Sequence, residues 1–353
     1  MVSLGDFPDW ETNSLAWVQT RQAFCARVGA RRAQMNQVAA TFGSFSGENK
    51  WLGGVLAPSG KIYGIPYSST TVLKIDPSND SASTFGSLSG STKWIGGVLA
   101  PNGMIYGIPY SETSVLKIDP SSDTPSTFGS VVGIAEWWGG VLAPNGMIYC
   151  IPHNSMDILK INPSNDTISQ FGTAIGVMQW SGGVLAPNGM IYGIPWWKTS
   201  VLKINPSNDT TSTFGNLTGM DKWNGGVLAL NGCIYGIPYD SETVLKIDPS
   251  NDTVSTFGSL SGFGKWRGGV LGLDGCIYGI PLDSGTVLRI DPTNDTVSTF
   301  GSLGGGSKWA GGILALNGCT YGIPFSGTAV SKIGRDLDDV LPDCCLSRHF
   351  NKF

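Results

Sequence analysis

The side chains that could do chemistry concentrate in one stretch of the chain, between residues 136 and 198. This stretch combines extra tryptophans with one histidine, two acids and a lysine. Tryptophan side chains often supply much of the free energy of binding at a recognition surface. A histidine beside carboxylates could instead transfer protons as a general acid or base. The candidate ligand-binding residues are Glu136, Trp138, His153, Asp157, Met178, Trp196, Trp197 and Lys198.

Two classes of function fit these residues. In the first, which we favour, the protein is a binding or scaffolding module that recognises a protein, with a glycan as the second choice of partner. In the alternative, it is a metal-dependent lyase or hydrolase with a central polar site built from Glu136, His153 and Asp157. Drift of the sequence without selection for any ligand is a third explanation. We assign no catalytic residue, and the pattern leans away from an enzyme without deciding the matter.

Other signals of catalysis or metal binding are weaker. His153 and His349 are the only histidines, and the sequence has no Gly-x-Ser-x-Gly nucleophile elbow. The segments Asp76–Asp80 and Asp248–Asp252 carry spaced oxygens, but they lack the roughly 12-residue spacing and the final Glu of a Ca²⁺-binding loop. Asp and Asn are also ordinary turn residues. We therefore predict no metal and no cofactor.

The seven cysteines do not form a metal-ligand pattern, since no Cys-x-x-Cys occurs. Cys233, Cys276 and Cys319 occupy one recurring position that holds Lys or Met elsewhere, which is typical of a soft apolar filler of a strand. A reducing compartment is the expectation for such cysteines, and we expect a cytoplasmic location.

Composition and charge restrict the class of partner. The chain has 353 residues, of which 14% are charged, and its formal net charge is −4. So small a charge disfavours nucleic acid as a partner. No apolar run approaches the roughly 20 residues that span a bilayer, and no secretory signal is visible, so we expect no membrane contact. We also expect a monomer. One hint of an RNA-binding face is a set of recurring lysines, Lys50, Lys93, Lys222, Lys265 and Lys308.

A strict internal repeat must position all of these residues. A Thr-Phe-Gly motif, degenerate once, recurs seven times at a spacing of 43 residues without insertion or deletion. A period in the forties with several short strands per unit is typical of a β-propeller. The motif begins at Thr41, Thr84, Thr127, Gln170, Thr213, Thr256 and Thr299.

One repeat predicts four short strands. Residues 94–100 form the first strand and 104–109 the second, followed by 115–118 and by a strand that includes 126–129. The fold class is therefore all-β, a seven-bladed β-propeller of four-stranded antiparallel blades. The Gly-Gly pair of the first strand allows strands to crowd around an axis, and the recurring Trp before it packs one blade against the next.

The ends of the chain predict how the ring closes. The last repeat lacks a fourth strand, whereas residues 39–43 match a fourth strand with no first three before it. An N-terminal outer strand would therefore complete the last blade and leave no open sheet edge there. The predicted domains are a non-repeat extension at 1–34, the propeller at 35–334 and a non-repeat tail at 335–353.

The two faces of the propeller differ in variability. Because strand direction alternates, the Pro-Asn-Gly and Asp-Pro-Ser-Asn-Asp turns share one face, on which the repeats barely differ. The second-to-third loops and the connections between blades share the other face, on which the repeats diverge. Binding sites on a rigid scaffold usually lie on its loops. We call this second face the variable face, and we expect the function there.

The repeat also resembles a known family pattern. Val-Leu-Lys-Ile-Asp-Pro, Asp-Thr-Val-Ser-Thr-Phe and Gly-Gly-Val-Leu-Ala-Pro-Asn-Gly-x-Ile-Tyr resemble the repeats of NHL-type and streptogramin-lyase-like seven-bladed propellers, over about residues 36–334. The resemblance implies the fold, and for NHL-type propellers the binding of proteins or RNA. Streptogramin lyases hold a metal with a His and acidic residues. Here only His153 lies within the repeats, so that activity does not carry over.

Overall fold

In a computed structural model, seven four-stranded antiparallel sheets make up the described part of the protein. The structure describes residues 39–131, 136–172 and 178–334. The predicted propeller is thus described from residue 39 to residue 334, while the predicted extension at 1–34 and the tail at 335–353 lie outside the described residues. The prediction of an all-β, seven-bladed β-propeller is confirmed.

Four consecutive strands form each of the first six blades, and each strand pairs with the next. Blade 1 contains β2 (Trp51–Leu56), β3 (Ile62–Pro66), β4 (Val72–Asp76) and β5 (Ser81–Phe85). Blade 2 contains β6 (Trp94–Leu99), β7 (Ile105–Pro109), β8 (Val115–Asp119) and β9 (Thr124–Phe128). Blade 3 contains β10 (Trp137–Leu142), β11 (Ile148–Pro152), β12 (Ile158–Asn162) and β13 (Thr167–Phe171).

The remaining blades repeat this order. Blade 4 contains β14 (Trp180–Leu185), β15 (Ile191–Pro195), β16 (Val201–Asn205) and β17 (Thr210–Phe214). Blade 5 contains β18 (Trp223–Leu228), β19 (Ile234–Pro238), β20 (Val244–Asp248) and β21 (Thr253–Phe257). Blade 6 contains β22 (Trp266–Leu271), β23 (Ile277–Pro281), β24 (Val287–Asp291) and β25 (Thr296–Phe300).

Blade 7 joins the two ends of the chain. Its strands β26 (Trp309–Leu314), β27 (Thr320–Pro324) and β28 (Val330–Ile333) are completed by β1 (Ala39–Phe42). The register runs antiparallel from Ala39 opposite Ile333 to Phe42 opposite Val330. The predicted closure by an N-terminal outer strand is therefore observed.

Burial decreases from the middle of each blade toward its outer edge. All residues of the second strand are buried in six of the seven blades, whereas the fourth strand is largely exposed. The core lies between blades, where facing sheets interdigitate, as when Ile65 of blade 1 packs with Trp94 and Leu116 of blade 2. Because both faces of the inner strands are covered, their sequences are nearly continuously apolar.

The recurring tryptophan is part of the architecture. Each of the seven is at most 3% exposed, and each donates its Nε1–H to a backbone carbonyl 20 residues later, at 2.7–2.9 Å. In blade 3 this bond joins Trp137 to the carbonyl of Asp157. A buried indole N–H needs such a partner, and the bond ties the first strand to the start of the third.

Glycine is required where the innermost strands meet. A Cβ built on Gly53 would lie 2.9 Å from the Cα of Gly96 in the next blade, and Gly53 also has a φ of +76°. The contact continues around the ring, where a Cβ on Gly311 would lie 2.9 Å from the Cα of Gly53. Glycine at this position therefore allows the innermost strands to approach one another closely around the axis.

The Asp-Pro-Ser-Asn-Asp turns do more than reverse the chain. The last Asp of the turn, such as Asp123, adopts a φ of +53° and accepts hydrogen bonds from the preceding blade. Tyr63 Oη donates to Asp123 Oδ1 at 2.9 Å, and Lys74 Nζ lies 2.5 Å from Asp123 Oδ2. Equivalent Tyr–Asp–Lys contacts join five further pairs of blades through Asp166, Asp209, Asp252, Asp295 and Asp80.

Four described cysteines have free thiols. Cys150, Cys276 and Cys319 are buried, and Cys233 is half-buried against a core cluster between blades 5 and 6. Within the ranges that the structure describes, no helix is long and apolar enough to cross a membrane.

Candidate functional site

An irregularity at the start of each innermost strand shapes the variable face. In blade 3, Trp137 pairs with Pro152, and the next pair joins Gly140 to Cys150, so that three residues of β10 match two of β11. The same register shift occurs in all seven innermost strands. Such a bulge redirects the neighbouring side chain.

The residue that follows the recurring Trp consequently turns toward the propeller axis. Leu52, Ile95 and Ala310, which come from three different blades, are buried together in one cluster. We call the seven residues at this position the inner ring. They are Leu52, Ile95, Trp138, Ser181, Asn224, Arg267 and Ala310.

A second ring of side chains covers the first. Its residues directly follow the proline that ends each second strand, and five of them pack on the inner ring, namely Tyr67, Tyr110, His153, Trp196 and Phe325. We call them the aromatic ring. They are Tyr67, Tyr110, His153, Trp196, Tyr239, Leu282 and Phe325.

Contacts between neighbouring blades run around much of the aromatic ring. The side-chain ring of Tyr67 contacts those of both Phe325 and Tyr110, with 5.9 Å between centroids in each case. The ring centroid of Trp138, from the inner ring, lies 5.6 Å from that of Tyr110 and 4.7 Å from that of His153. Trp138 also stacks on Trp196 at 6.1 Å, and Trp196 contacts Tyr239 at 4.8 Å. Together these side chains form an aromatic surface that runs from Phe325 in blade 7 through blades 1 to 4 to Tyr239 in blade 5.

Arg267 reaches across this surface. It belongs to blade 6, yet its guanidinium carbon lies 4.9 Å from the ring centroid of Trp138 in blade 3 and 5.1 Å from that of Phe325 in blade 7. Both distances are within the range of cation–π attraction. The cation is therefore held at the centre of the two rings by aromatic faces.

The inner ring has a polar side. Ser181, Asn224 and Arg267 follow one another in blades 4, 5 and 6, and their chains touch at the adjoining glycines, where a Cβ on Gly182 would lie 3.3 Å from the Cα of Gly225. The buried atoms Ser181 Oγ, Asn224 Nδ2 and Arg267 Nε have no hydrogen-bond partner among the described residues. Buried polar atoms of this kind are rare in folded proteins and call for an explanation.

Burial also changes the titration of the ring residues. It lowers the pKa of His153, against the raising effect of a contact between His153 Nδ1 and the Trp180 carbonyl at 3.0 Å. His153 is therefore neutral near pH 7, with Nδ1 assigned as the donor. Burial raises the pKa of Tyr67, Tyr110 and Tyr239, while nearby Arg267 acts in the opposite direction on each. Arg267 thus supplies the fixed positive charge of the two rings.

Three of the predicted site residues meet at the axis. Trp138 is half-buried in the inner ring, while His153 and Trp196 are 2% and 8% exposed in the aromatic ring. The rings expose parts of Trp138, Tyr67, Tyr110, Tyr239 and Phe325 rather than His153 or Trp196. Contacts with a partner would therefore form mainly with the half-buried members.

The residues of the alternative polar site are connected through the backbone. The carbonyl of Glu136 accepts from the backbone N–H of His153 at 2.8 Å and of Ser155 at 3.1 Å. Asp157 contributes its carbonyl to Trp137. The described parts of the chain contain no group of three or more His, Cys, Asp or Glu side chains arranged to hold a metal ion.

The other predicted residues lie farther out on the variable face. Met178, with a φ of +50°, is exposed and bonds through its N–H to Asn154 Oδ1 at 2.7 Å. The Trp197 indole N–H donates to Asp221 Oδ1 at 2.8 Å, which links blades 4 and 5. Lys198 Nζ lies 5.7 Å from the ring centroid of Trp180. These three residues lie outside the aromatic ring, in the blade 3–4 connection and the second-to-third loop of blade 4.

The recurring lysines do not form the basic surface that the sequence suggested. Lys50, Lys93, Lys222 and Lys265 are at most 4% exposed, and Lys308 is half-buried. Their ammonium groups donate to loop carbonyls, as Lys93 Nζ does to Ser69 at 2.8 Å and Gly90 at 2.9 Å. Burial lowers the pKa of Lys50, Lys93 and Lys265, and it lowers the pKa of Lys222 to about 8. These lysines hold the loops in place.

Sequence reasoning missed most of the inner ring, including Arg267, Asn224 and Ser181. A signal was present, because the motif Trp-x-Gly-Gly is constant in every repeat except at x. That position reads Leu, Ile, Trp, Ser, Asn, Arg and Ala. Variation at one position of an otherwise constant strand indicates that its side chain takes no part in the packing that all seven repeats share.

A set of exposed apolar side chains borders the aromatic ring on one side. Met156 is 60% exposed in the second-to-third loop of blade 3, and Met178, Met220 and Phe263 are 38%, 66% and 82% exposed in the following connections between blades. We call these four residues the apolar rim. The fifth large apolar residue exposed in the described chain, Leu316, lies in a turn of the opposite face.

Comparison with known proteins identifies the architecture. No protein-family model and no curated protein matches the chain. Among solved structures, a streptogramin B lyase superposes with a TM-score of 0.74 at 12% identity, covering 84% of this chain and 97% of that one. A virginiamycin B lyase from Staphylococcus aureus gives a TM-score of 0.73 at 10% identity, covering 85% of this chain and 100% of that one.

A third neighbour has a different context. It is the extracellular domain of a putative one-component system from B. thetaiotaomicron, with a TM-score of 0.65 at 11% identity, covering 85% of this chain and 43% of that one. Identities this low establish the fold alone. The NHL-type part of the predicted resemblance stays a prediction, and the streptogramin-lyase-like seven-bladed propeller is confirmed as the architecture of this chain.

Proposed function

We propose that the protein is a binding module that recognises a protein partner through its variable face. The observation that carries the proposal is the apolar rim beside a half-exposed aromatic surface. Three members of the apolar rim, Met156, Met220 and Phe263, are 60–82% exposed. So many exposed large apolar side chains on one side of one face are unusual. Methionine and aromatic side chains are also the types enriched at protein interfaces.

The arrangement is that of a contact surface with two parts. The apolar rim lies on the connections and loop of blades 3 to 6, and Trp197 lies in a loop between two of its members. The aromatic ring next to it offers rigid side chains, whose burial against a partner releases free energy at little cost in side-chain entropy. A partner with complementary apolar side chains fits both parts.

Capture of partners from native lysate, followed by titration of the purified partner, tests the proposal. The double variant Met220→Ser, Phe263→Ser should lose the partner or weaken its binding by at least about tenfold. The matched control is Leu316→Ser, because Leu316 is 42% exposed on the opposite face. Trp197→Ala is a suitable third variant, whereas buried Trp196 would report on folding.

Equal binding by the double variant and the control would contradict the proposal. Binding to a glycan array with no protein partner would replace it by the second choice of ligand. The metal-dependent lyase or hydrolase predicts instead that His153→Ala abolishes a turnover measured with metal present. A cytoplasmic location and a monomeric state remain parts of the proposal, to be tested by fractionation and by light scattering.

A further inference from the structure

We propose that the propeller axis holds a binding site for a monocarboxylate with an aromatic or apolar body, formed by Arg267, Asn224 and Ser181. The inference goes beyond the proposed protein partner, because it concerns the axis and a charged group rather than the apolar rim. It rests on charge, on unpartnered donors and on the aromatic surroundings.

The charge of Arg267 has no counter-ion within the described chain. Arg267 forms no ion pair with a described residue, and neither the inner ring nor the aromatic ring contains Asp or Glu. A guanidinium stays protonated in proteins, so the half-buried Arg267 side chain keeps its charge. Cation–π contacts with Trp138 and Phe325 offset part of the lost hydration, and an anion would offset the rest.

The neighbouring polar groups have the right chemistry to help. Asn224 Nδ2 and Arg267 Nε can only donate hydrogen bonds, and Ser181 Oγ–H can donate one. Ser181 and Asn224 are 0% and 3% exposed, and none of these three atoms has a hydrogen-bond partner in the described part of the chain. Three consecutive blades therefore each contribute one unpartnered donor to the inner ring, the third being Arg267 itself. A carboxylate accepts several such bonds, and its pairing with arginine is favoured geometrically.

A single negative charge fits better than a double one. Arg267 is the only cation of the two rings. Three acids lie around them on the variable face, where Asp221 accepts from Trp197, Asp240 from the Gly264 N–H and Asp283 from the Ser307 N–H. Asp221, Asp240 and Asp283 all act electrostatically on the hydroxyl of Tyr239 in the aromatic ring. These acids would repel a phosphate dianion more strongly than a carboxylate.

The surroundings also indicate an apolar body on the ligand. Trp138, Tyr67, Tyr110 and Phe325 are half-buried, so parts of their rings remain available for stacking. Inorganic anions would leave these faces uncovered. An arylalkyl carboxylate would cover them while its carboxylate meets Arg267.

Calorimetric titration with phenylacetate, phenylacetamide and inorganic phosphate tests the site in the full chain. We expect phenylacetate to bind at least about tenfold more tightly than the neutral amide or phosphate. Arg267→Met, which keeps an apolar side chain between Trp138 and Phe325, should weaken phenylacetate binding at least about tenfold. Arg289→Met is the control, since Arg289 lies in β24 beside Asp291. Ser181→Ala and Asn224→Ala should each weaken binding about fivefold, as expected for one hydrogen bond.

A stability measurement separates binding from folding. If Arg267 is kept for a ligand, Arg267→Met should melt at the same temperature as the parent or higher, because it removes an unpaired charge. A large drop in melting temperature, together with unchanged phenylacetate binding, would overturn the proposal. No binding of phenylacetate up to about 10 mM, or equal binding of its amide, would also overturn it.

Two peptides distinguish a free carboxylate from the end of a protein chain. Peptides ending in phenylalanine, with a free or an amidated C-terminus, are compared with phenylacetate. Stronger binding of the free peptide than of phenylacetate would identify a protein C-terminus as the source, and weaker binding a small molecule. The double variant Met220→Ser, Phe263→Ser should bind phenylacetate as the parent does, so a failure of the apolar rim is distinguishable from a failure at the axis.

Discussion

Lys332 in β28 lies 2.7 Å from Asp80 in the first blade, and this ion pair joins residues 252 positions apart. Tyr321 donates to the other carboxylate oxygen of Asp80 at 2.8 Å. Lys74 and Tyr63 make the same contacts to Asp123 within the ring. The seam between blades 7 and 1 is therefore closed by the same contacts that join blades 1 to 6 to one another.

We expect deletion of residues 35–44 to open the ring. The deletion removes β1, which pairs with β28 over four residues, and leaves the edge of blade 7 unpaired. The melting temperature measured by calorimetry should fall sharply, by more than about 5 °C. A chain lacking only residues 1–34 serves as the control. An unchanged melting curve for the longer deletion would contradict this role of β1.

The ion pair at the closing seam should contribute modestly to stability. Its Lys and Asp side chains are 13% and 38% exposed, so water screens the attraction. In a double-mutant cycle of Lys332→Met and Asp80→Asn, we expect a coupling free energy of about 0.5–1 kcal/mol from urea denaturation. The pair Lys203 and Asp252, at 2.6 Å, should give a similar value. A coupling free energy of zero for Lys332 and Asp80 would contradict the prediction, because it would show that their contact does not stabilise the seam.

Two glycine substitutions should differ although both residues have positive φ. Gly146 has a φ of +79° and no atom within 4 Å of an added Cβ, so Gly146→Ala should cost only about 1–2 kcal/mol of backbone strain. At Gly53 the added Cβ would also meet the Cα of Gly96 at 2.9 Å. Gly53→Ala should therefore lose at least about 1 kcal/mol more, since backbone must move. Equal free energies of unfolding would contradict close packing at the axis.

Lys222 should make the protein more stable as the solution becomes alkaline. Its folded pKa is lowered by burial to about 8 from 10.5, so the unfolded chain binds this proton more tightly. The free energy of unfolding should therefore rise with pH between these two values. Below the folded pKa, Lys222 is charged in both the folded and the unfolded state. Burial of the charge therefore lowers the free energy of unfolding by its full amount in that pH range.

The variant Lys222→Gln isolates this contribution, because Gln179 occupies the equivalent position in blade 4 and donates to the Ser155 carbonyl at 3.0 Å. From about pH 7.5 to about pH 9.5, the parent should gain about 1–2 kcal/mol more than the variant. Taking the difference removes the effects of cysteines and tyrosines common to both proteins. Parallel pH profiles would mean that Lys222 keeps an ordinary pKa.

Most of the scaffold was predictable because it repeats. Trp94, Gly96 and Pro109 each have six equivalents, and a local pattern found seven times predicts strands, turns and closure with little ambiguity. The lysines show the limit of the same reasoning. Lys93 looks like a surface charge in the sequence, but its ammonium lies 5.9 Å from the ring centroid of Trp94. The same group donates to two backbone carbonyls, one of them from the loop of the preceding blade.

The residues at the axis depended on the tertiary structure. Arg267 and Trp138 stand in different repeats three blades apart, and only closure of the ring brings the guanidinium within 4.9 Å of that indole. The bulge in each innermost strand then turns these side chains inward. Repetition encodes what is the same in every blade, because the same neighbours recur. The side chains that differ between blades contact one another only across the axis. Their roles therefore depend on how the seven blades are arranged and could not be predicted from a single repeat.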